Sequence, residues 1–378
     1  MNATCRADAL YAAVEAASRP VSGHATLPIL NGLLLSSAAG AIEVCGTDLE
    51  TTVVSRVPTS LGEPGAVVVA SASLLASYLK TLDGEDSVAL STTKAGLMLR
   101  SGRGASTLYT LPAEDFPPLP AAEPEGAEWH VRVTGTDLRA AVTGTCFCAS
   151  SDEARGRILM GALLRVDRVG AASLTATDGM ALAQAPLPTQ GDPPAAGTFI
   201  VSSVGLVNAG RILGGAETIG ITVSSAHDGS RITFATPKAR LTTRLVDGRY
   251  PNVDAVIPVN PPVTVALARE PLLDALRRAG LVDVASSSLV RLSFESDTLT
   301  ISASSDEAGR ALETLSLLEP LSVPAMEIGF SAKRLASILA HIRTDTVRLG
   351  LSTPHVAMVV RPASGDAIYV LMPVRIVL

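Results

Sequence analysis

Aromatic side chains are scarce in this 378-residue chain, with one Trp, five Tyr and six Phe making up 3%. A surface that binds single strands by stacking bases on rings is therefore not expected. Charge is sparse too, at 17%, and the net balance is −6, so no global basicity marks a nucleic-acid binder. Cysteine is limited to Cys5, Cys45, Cys146 and Cys148. With no Cys-x-x-Cys and no nearby histidine pair, they suit neither a disulfide framework nor a zinc site. They read as small buried hydrophobes in a reducing compartment. Long apolar runs are absent: Leu27 to Leu35 is broken by Pro28, Asn31 and Gly32 and is too short to span a bilayer. The opening residues, Met1 to Arg6, lack a basic segment leading into an apolar one, so a cytoplasmic protein without membrane contact is expected. None of the four lysines (Lys80, Lys94, Lys238, Lys333) follows a glycine, which excludes a Walker-type phosphate loop. His24, His130, His227, His341 and His355 stand alone, without the spacing of a zinc protease or the setting of a nucleophile elbow.

What the chain does have is apolar bulk, 47% with mean hydropathy +0.36, and a length that divides into three units of about 125 residues. Helix-like stretches recur. The Leu10, Ala13, Val14 pattern returns at Thr136–Val142 and at Glu270–Leu276. A second helix series begins at Ser73, Ser203 and Ser331, with serine as the expected N-cap. Strand-like runs precede it at Val67–Val69, Phe199–Val201 and Ile328–Phe330. Between the two helices of each unit lies a landmark: Gly46-Thr47-Asp48, Ala176-Thr177-Asp178 and Ser304-Ser305-Asp306. Serines and landmarks alike step by 130 and then 128 residues. Such self-similarity means three copies of one α+β unit, each with two helices on short antiparallel strands. Gly40–Val44, Ser87–Leu90, Arg231–Phe234 and Leu299–Ile301 show half-buried alternation. Proline-rich linkers are expected at 116–124 and 258–262.

Charge is unevenly divided. The six helical stretches hold ten Lys or Arg against five Asp or Glu, so they carry +5 and the remainder −11. That split suits helices facing phosphates through sequence-independent Coulomb contacts. Charge alone favours the plainer reading of solvated helix faces.

Seven motifs, in order along the whole chain, resemble the bacterial DNA polymerase III beta sliding clamp family: 26–35, 46–50, 111–117, 176–179, 245–251, 326–330 and 369–376. The resemblance implies three DNA-clamp domains (1–121, 128–257 and 259–378), each with two helices on antiparallel sheets, paired head to tail into a dimeric ring around duplex DNA. It implies a non-catalytic processivity factor without cofactor or metal. Its partners would be duplex DNA, the polymerase III alpha subunit, the clamp loader complex and other proteins carrying a clamp-binding motif.

By the same resemblance, DNA faces Arg6, His24, Lys80, Arg139, Arg211, Arg277, Arg278, Lys333, Arg334 and Arg343. A peptide groove between the second and third domains takes Thr177, Gly179, Met180, Leu182, Pro251, Val256, Val370, Met372, Pro373, Val374 and Arg375. Apolar walls with a few polar anchors suit a linear peptide with a leucine or phenylalanine tip. The dimer edge would set Arg100 and Arg103 against Leu281, Val282, Asp306, Glu307 and Glu313.

Departures from the family pattern are concrete. Met180-Ala181 replaces a frequent His-Arg, and Val377-Leu378 extends the tail. His24 replaces a frequent arginine, basic residues are missing near Ser71-Ala72-Ser73, and Arg157-Ile158-Leu159 lacks tyrosines. Ser106 stands where an aromatic plug is frequent. The groove changes imply altered peptide preference, or a specialised second clamp insensitive to a groove-directed inhibitor. The remaining alternative is a hydrolase using Asp48, Asp178 and Asp247. Asp48 and Asp178 occupy equivalent places in repeated copies, which suits turn-forming aspartates better than catalysts.

Overall fold

The structure, a computed structural model, describes residues 1–23, 25–38, 40–121, 127–191, 193–226, 229–282, 288–305, 307–321 and 325–376. The expectations at His24, His227, Asp306 and Val377-Leu378 lie outside the described residues.

Alternation builds the strands. In Leu289–Glu295, Val290, Leu292 and Phe294 are buried while the residues between them are partly open, as a pleated strand over a core requires. All strand pairs among the described residues are antiparallel, and each repeat supplies two half-sheets built on four strands, to whose edges the short strands Leu61–Glu63, Thr110–Leu111 and Thr189–Gln190 are added. In the first half-sheet, the strand orders are Asn2–Arg6, Ser87–Thr93, Gly96–Ser101, Gly104–Leu108 in repeat one and Ala127–Val133, Ile219–Ala226, Gly229–Ala235, Ala239–Arg244 in repeat two. Repeat three has Val263–Ala268, Thr346–Leu351, Met358–Pro362, Ile368–Leu371. The second half-sheets end on Thr51–Pro58, Ala181–Pro186 and Gly309–Ser316 respectively.

Half-sheets fuse across the repeats. Thr51–Pro58 pairs with Ala239–Arg244, Val53 lying opposite Leu241. Ala181–Pro186 pairs with Ile368–Leu371, Ala183 opposite Tyr369. Two sheets, of ten and eight strands, thereby cross the two boundaries within the chain. The third pair of half-sheets stays apart, as a five-stranded sheet edged by Gly104–Leu108 and a four-stranded sheet edged by Gly309–Ser316.

Six helices lie in pairs: α1 (Ala7–Ala17) with α2 (Ala72–Lys80), α3 (Gly135–Thr145) with α4 (Ser203–Leu213), and α5 (Arg269–Gly280) with α6 (Ala332–His341). Each buries an apolar stripe, in α1 Leu10, Ala13, Val14 and Ala17. Two of the three expected serine caps move by one or two residues. Ser71, Ser202 and Ser331 accept from the third amide onward, at Leu74, Gly205 and Arg334. Ser73 sits inside α2, and the Ser203 hydroxyl instead donates to the Met160 carbonyl at 2.6 Å. One core fills repeat one; another runs unbroken through repeats two and three.

Gly46, in the first landmark, has no room for a side chain. A Cβ there would fall 2.0 Å from the Ala17 carbonyl oxygen and 2.9 Å from Leu33 and Val21 side-chain atoms. Gly46→Ala is expected to destabilise by about 2–4 kcal/mol, because backbone cannot step aside as a side chain can. Urea unfolding followed by circular dichroism checks this.

Candidate functional site

The landmark turns share one wiring. Thr47 Oγ donates to the Thr51 carbonyl at 3.1 Å and accepts from Leu49 N–H, while Asp48 Oδ1 accepts from the amides of Glu50 and Thr51 at 3.0 and 2.6 Å. Thr177 Oγ donates to the Ala181 carbonyl at 2.7 Å and accepts from Gly179 N–H, while Asp178 Oδ1 accepts from Met180 and Ala181 amides, both at 2.8 Å. The chain reverses through left-handed backbone at Leu49 (φ 76°) and Gly179 (φ 86°). Both carboxylates therefore act as turn-formers.

The two aspartates differ in one respect. Burial pushes the Asp48 carboxyl above its usual range, only partly offset by the Thr51 and Glu50 amides. At Asp178 burial also pushes upward, yet the Ala181 amide, the Arg334 guanidinium and the Met180 amide together hold the carboxyl below its usual range. Arg334, from α6 of repeat three, reaches Asp178 Oδ2 at 2.8 Å. Arg155 Nη1 donates to the Asp178 carbonyl at 2.8 Å, so two arginines grip this turn.

Around it the expected groove residues converge. Leu182 lies opposite Val370 in the fused sheet, and Met372 N–H donates to the Met180 carbonyl at 2.9 Å. Leu182 and Val370 are buried with Leu163, Ile200, Tyr250, Val253 and Ala357 in one apolar cluster. The Tyr250 hydroxyl accepts from Thr177 N–H at 3.2 Å and donates to the Gly161 carbonyl at 3.3 Å, which brings the adjoining Pro251 to the same rim. Burial pushes the Tyr250 phenol upward. Val256 and Met372 are exposed, Met180 and Pro373 partly so. The tail then runs on to repeat three, where Val374 N–H donates to the Gly329 carbonyl at 2.8 Å, leaving Arg375 exposed. Arg155 and Tyr250 were not singled out from sequence. Tyr250 lies within a quoted motif, whereas nothing around Arg155 signals its role.

The basic residues split into two groups. Arg6 is bound to Asp8 and Glu85 at 2.7 and 2.9 Å, Arg277 to Asp274 at 3.5 Å, Arg278 to Glu313 at 2.6 Å, and Arg334 to Asp178. Asp8 and Asp274 are near neighbours in sequence, but Glu85, Glu313 and Asp178 lie 79, 35 and 156 residues from the arginines they hold. Lys80, Arg139, Arg211, Lys333 and Arg343 are exposed, with no ion pair among the described residues. Arg139 and Arg211 line a cavity of about 520 Å³ with Arg19 and His341, whose ring stacks on Phe147 at 3.8 Å. Because Arg19 follows α1 and His341 ends α6, elements of all three repeats meet at this basic surface.

The expected dimer residues lie at the two unpaired sheet edges. Arg100 is on the strand next to the edge, Arg103 in the hairpin turn, and Ser106 on the edge strand Gly104–Leu108 itself. Glu313 is on the opposite edge strand, Glu307 in the turn before it, and Leu281 and Val282 follow α5. Large apolar side chains lie bare here: Tyr109 is 85% exposed, Leu281 78% and Leu312 72%. Among the described residues no group of three or more His, Cys, Asp or Glu is placed to hold a metal ion. Among the described residues no helix is long and apolar enough to cross a membrane.

Three α+β copies fused edge to edge, with paired helices on the sheets and a basic surface where the repeats meet, define the DNA-clamp class. The three DNA polymerase III beta subunit families match in order: N-terminal domain at residues 1–120, central domain at 132–252 and C-terminal domain at 254–375. The chain is 31% identical to the beta sliding clamp of Vibrio cholerae and 30% identical to that of Salmonella typhimurium, over 100% of both chains in each case. It superposes on a crystal structure of the Pseudomonas aeruginosa sliding clamp bound to griselimycin with a TM-score of 0.90 at 29% identity, covering 100% of both chains. The chain belongs to the DNA polymerase III beta subunit family, the beta sliding clamps. Its function is that of a DNA sliding clamp that confers processivity on a polymerase.

Asp178→Asn keeps the turn's acceptor but removes the charge opposite Arg334. It is expected to cost about 1–2 kcal/mol at neutral pH, allowing for the part exposure of the pair. Because the folded carboxyl lies below its unfolded value, that contribution is full above the ordinary carboxylate pKa of about 3.9 and is lost as pH falls through the folded value. Urea midpoints of the two proteins should converge in strong acid.

Proposed function

We propose that two copies of this chain close head to tail into a ring around duplex DNA, and that partner peptides dock beside the Asp178 turn. The supporting observation is the pair of unmatched sheet edges. In the chain-internal junctions, the last strand of a first half-sheet pairs with the last strand of a second half-sheet. Gly104–Leu108 occupies the first of these places and Gly309–Ser316 the second, and each lacks that partner among the described residues. An open edge flanked by bare apolar side chains is an aggregation hazard unless something covers it, and a second copy covers both with the same joint. Six units joined by six such junctions make a closed ring of two chains.

DNA is held there by Lys80, Arg139, Arg211, Lys333 and Arg343, whose charges are not spent on carboxylates. Contacts to phosphates that read no sequence let the ring slide, while closure prevents its loss. Tethering keeps the polymerase at high effective concentration near the primer end. The groove residues Thr177, Gly179, Met180, Leu182, Pro251, Val256, Val370, Met372, Pro373, Val374 and Arg375 take the peptides of the polymerase III alpha subunit, the clamp loader and other motif-bearing proteins.

Light scattering at micromolar concentration should give twice the 38.8 kDa chain mass. Leu281→Asp with Leu312→Asp should shift it toward the single-chain mass without unfolding, since both side chains are exposed. A loader should retain the protein on nicked circular plasmid, with the protein running off once the plasmid is linearised. Retention indifferent to topology would refute the ring. Met372→Ala should weaken a polymerase-derived peptide by about tenfold, the scale of one truncated apolar anchor.

A further inference from the structure

Arg334 was expected to face DNA, yet its guanidinium lies on the turn that carries Gly179 and Met180. Nε and Nη2 both donate to one oxygen, Asp178 Oδ2, at 3.2 and 2.8 Å. Nη1 has no hydrogen-bond partner among the described residues. The turn does not need Arg334 for its shape, because Asp178 Oδ1 separately holds the Met180 and Ala181 amides. The arginine side chain is 35% exposed and its carboxylate partner 19%, so the pair lies at the rim with the arginine outermost.

Its position is well fixed. The Arg334 amide is the one capped by Ser331 Oγ, at 3.4 Å. Two residues before that cap, Gly329 holds the tail through Val374. The tail in turn binds Met180 through Met372 N–H. Arg334, Met180 and Met372 therefore border one rim. Arg375, the next residue of the tail, is exposed and has no carboxylate partner among the described residues.

We propose that Arg334 is a specificity-determining residue of the partner groove, its free Nη1 taking a carboxylate of the bound peptide beside the apolar tip. The inference rests on the groove reading above. A guanidinium presents five donors in a planar fork and can serve two carboxylates at once. Asp178 orients the fork in advance, so the incoming acid gains a charge-assisted hydrogen bond without first ordering a long side chain. Arg155 and Arg334 each have a carboxylate partner, Asp152 and Asp178, while Arg375 has none among the described residues, so a peptide acid meets donors that remain open. An amide in the same place would accept a hydrogen bond but bring no charge to them.

The test is fluorescence polarisation on the full-length protein with two labelled peptides, both capped at each end. Each has a leucine-phenylalanine tip, preceded within two positions by aspartate in one and asparagine in the other. The aspartate peptide is expected to bind wild type about fivefold more tightly, the scale of a half-exposed charge contact. That ratio should shrink with added salt, fall to about one in Arg334→Gln, and recover in part in Arg334→Lys. Equal binding of the two peptides to wild type, or a ratio that survives Arg334→Gln, overturns the proposal. Met372→Ala is the control for the groove itself: it should weaken both peptides equally, and affinities it leaves untouched would sink the groove reading together with this one.

Discussion

The antiparallel joint between strand edges of successive repeats is the contact on which the rest of this structure depends. Each repeat alone would end in open rows of N–H and C=O groups, and those groups must be paired or left to water. Pairing Thr51–Pro58 with Ala239–Arg244, and Ala181–Pro186 with Ile368–Leu371, satisfies them. The same pairing sets buried threonines face to face, Thr51 Oγ and Thr243 Oγ at 3.0 Å. Each backbone bond contributes only about 1 kcal/mol net, so the joint holds because several bonds form in register over a shared core. In repeats two and three that core is continuous, which makes the boundary between them a seam in sequence more than in packing.

Helix placement follows from the joint. Continuous sheets leave the paired helices on their other face, where Arg19, Arg139, Arg211 and His341 of different repeats come to line one cavity. The acidic total of −6 therefore says little about DNA, since what matters is which charges remain unpaired on that face. Five of the expected basic residues are open there, while Arg6, Arg277, Arg278 and Arg334 are held by carboxylates. A charge count along helices cannot separate these groups, because the partners of Arg6, Arg278 and Arg334 arrive from 79, 35 and 156 residues away.

The repeat itself was legible. Alternation marks the strands, the Leu10-type stripe marks the helices, and the spacing of the Thr-Asp landmarks gives the copy number. Local chemistry carries those signals, so periodicity and turn residues suffice to read them. Cap positions were legible only to within two residues, since Ser71 and Ser73 are equally good cap chemistry and the preceding strand decides between them. The proposed groove is outlined by resemblance at Thr177, Leu182, Val370 and Met372, but the contacts that hold it are not: Arg155 and Tyr250 act across 23 and 73 residues within repeat two, and Arg334 reaches Asp178 only because repeats two and three are fused.

Repetition also shows how two copies of one turn come to have different surroundings. Thr47-Asp48 and Thr177-Asp178 fold alike, down to the amides that each carboxylate holds. Repeat one places Leu49 at positive φ, a strained choice that a glycine avoids. Beneath its junction Cys45, Val54, Val68 and Phe116 form a compact cluster. Among the described residues no ion pair forms at Asp48, and burial, with a smaller push from the Glu50 charge, sets its carboxyl high. Repeat two has Gly179 at the same bend, which opens the rim, and draws an arginine from repeat three to hold Asp178 charged. The two turns differ by what the neighbouring repeat brings to them, so chemistry distinguishes places that the fold made equivalent.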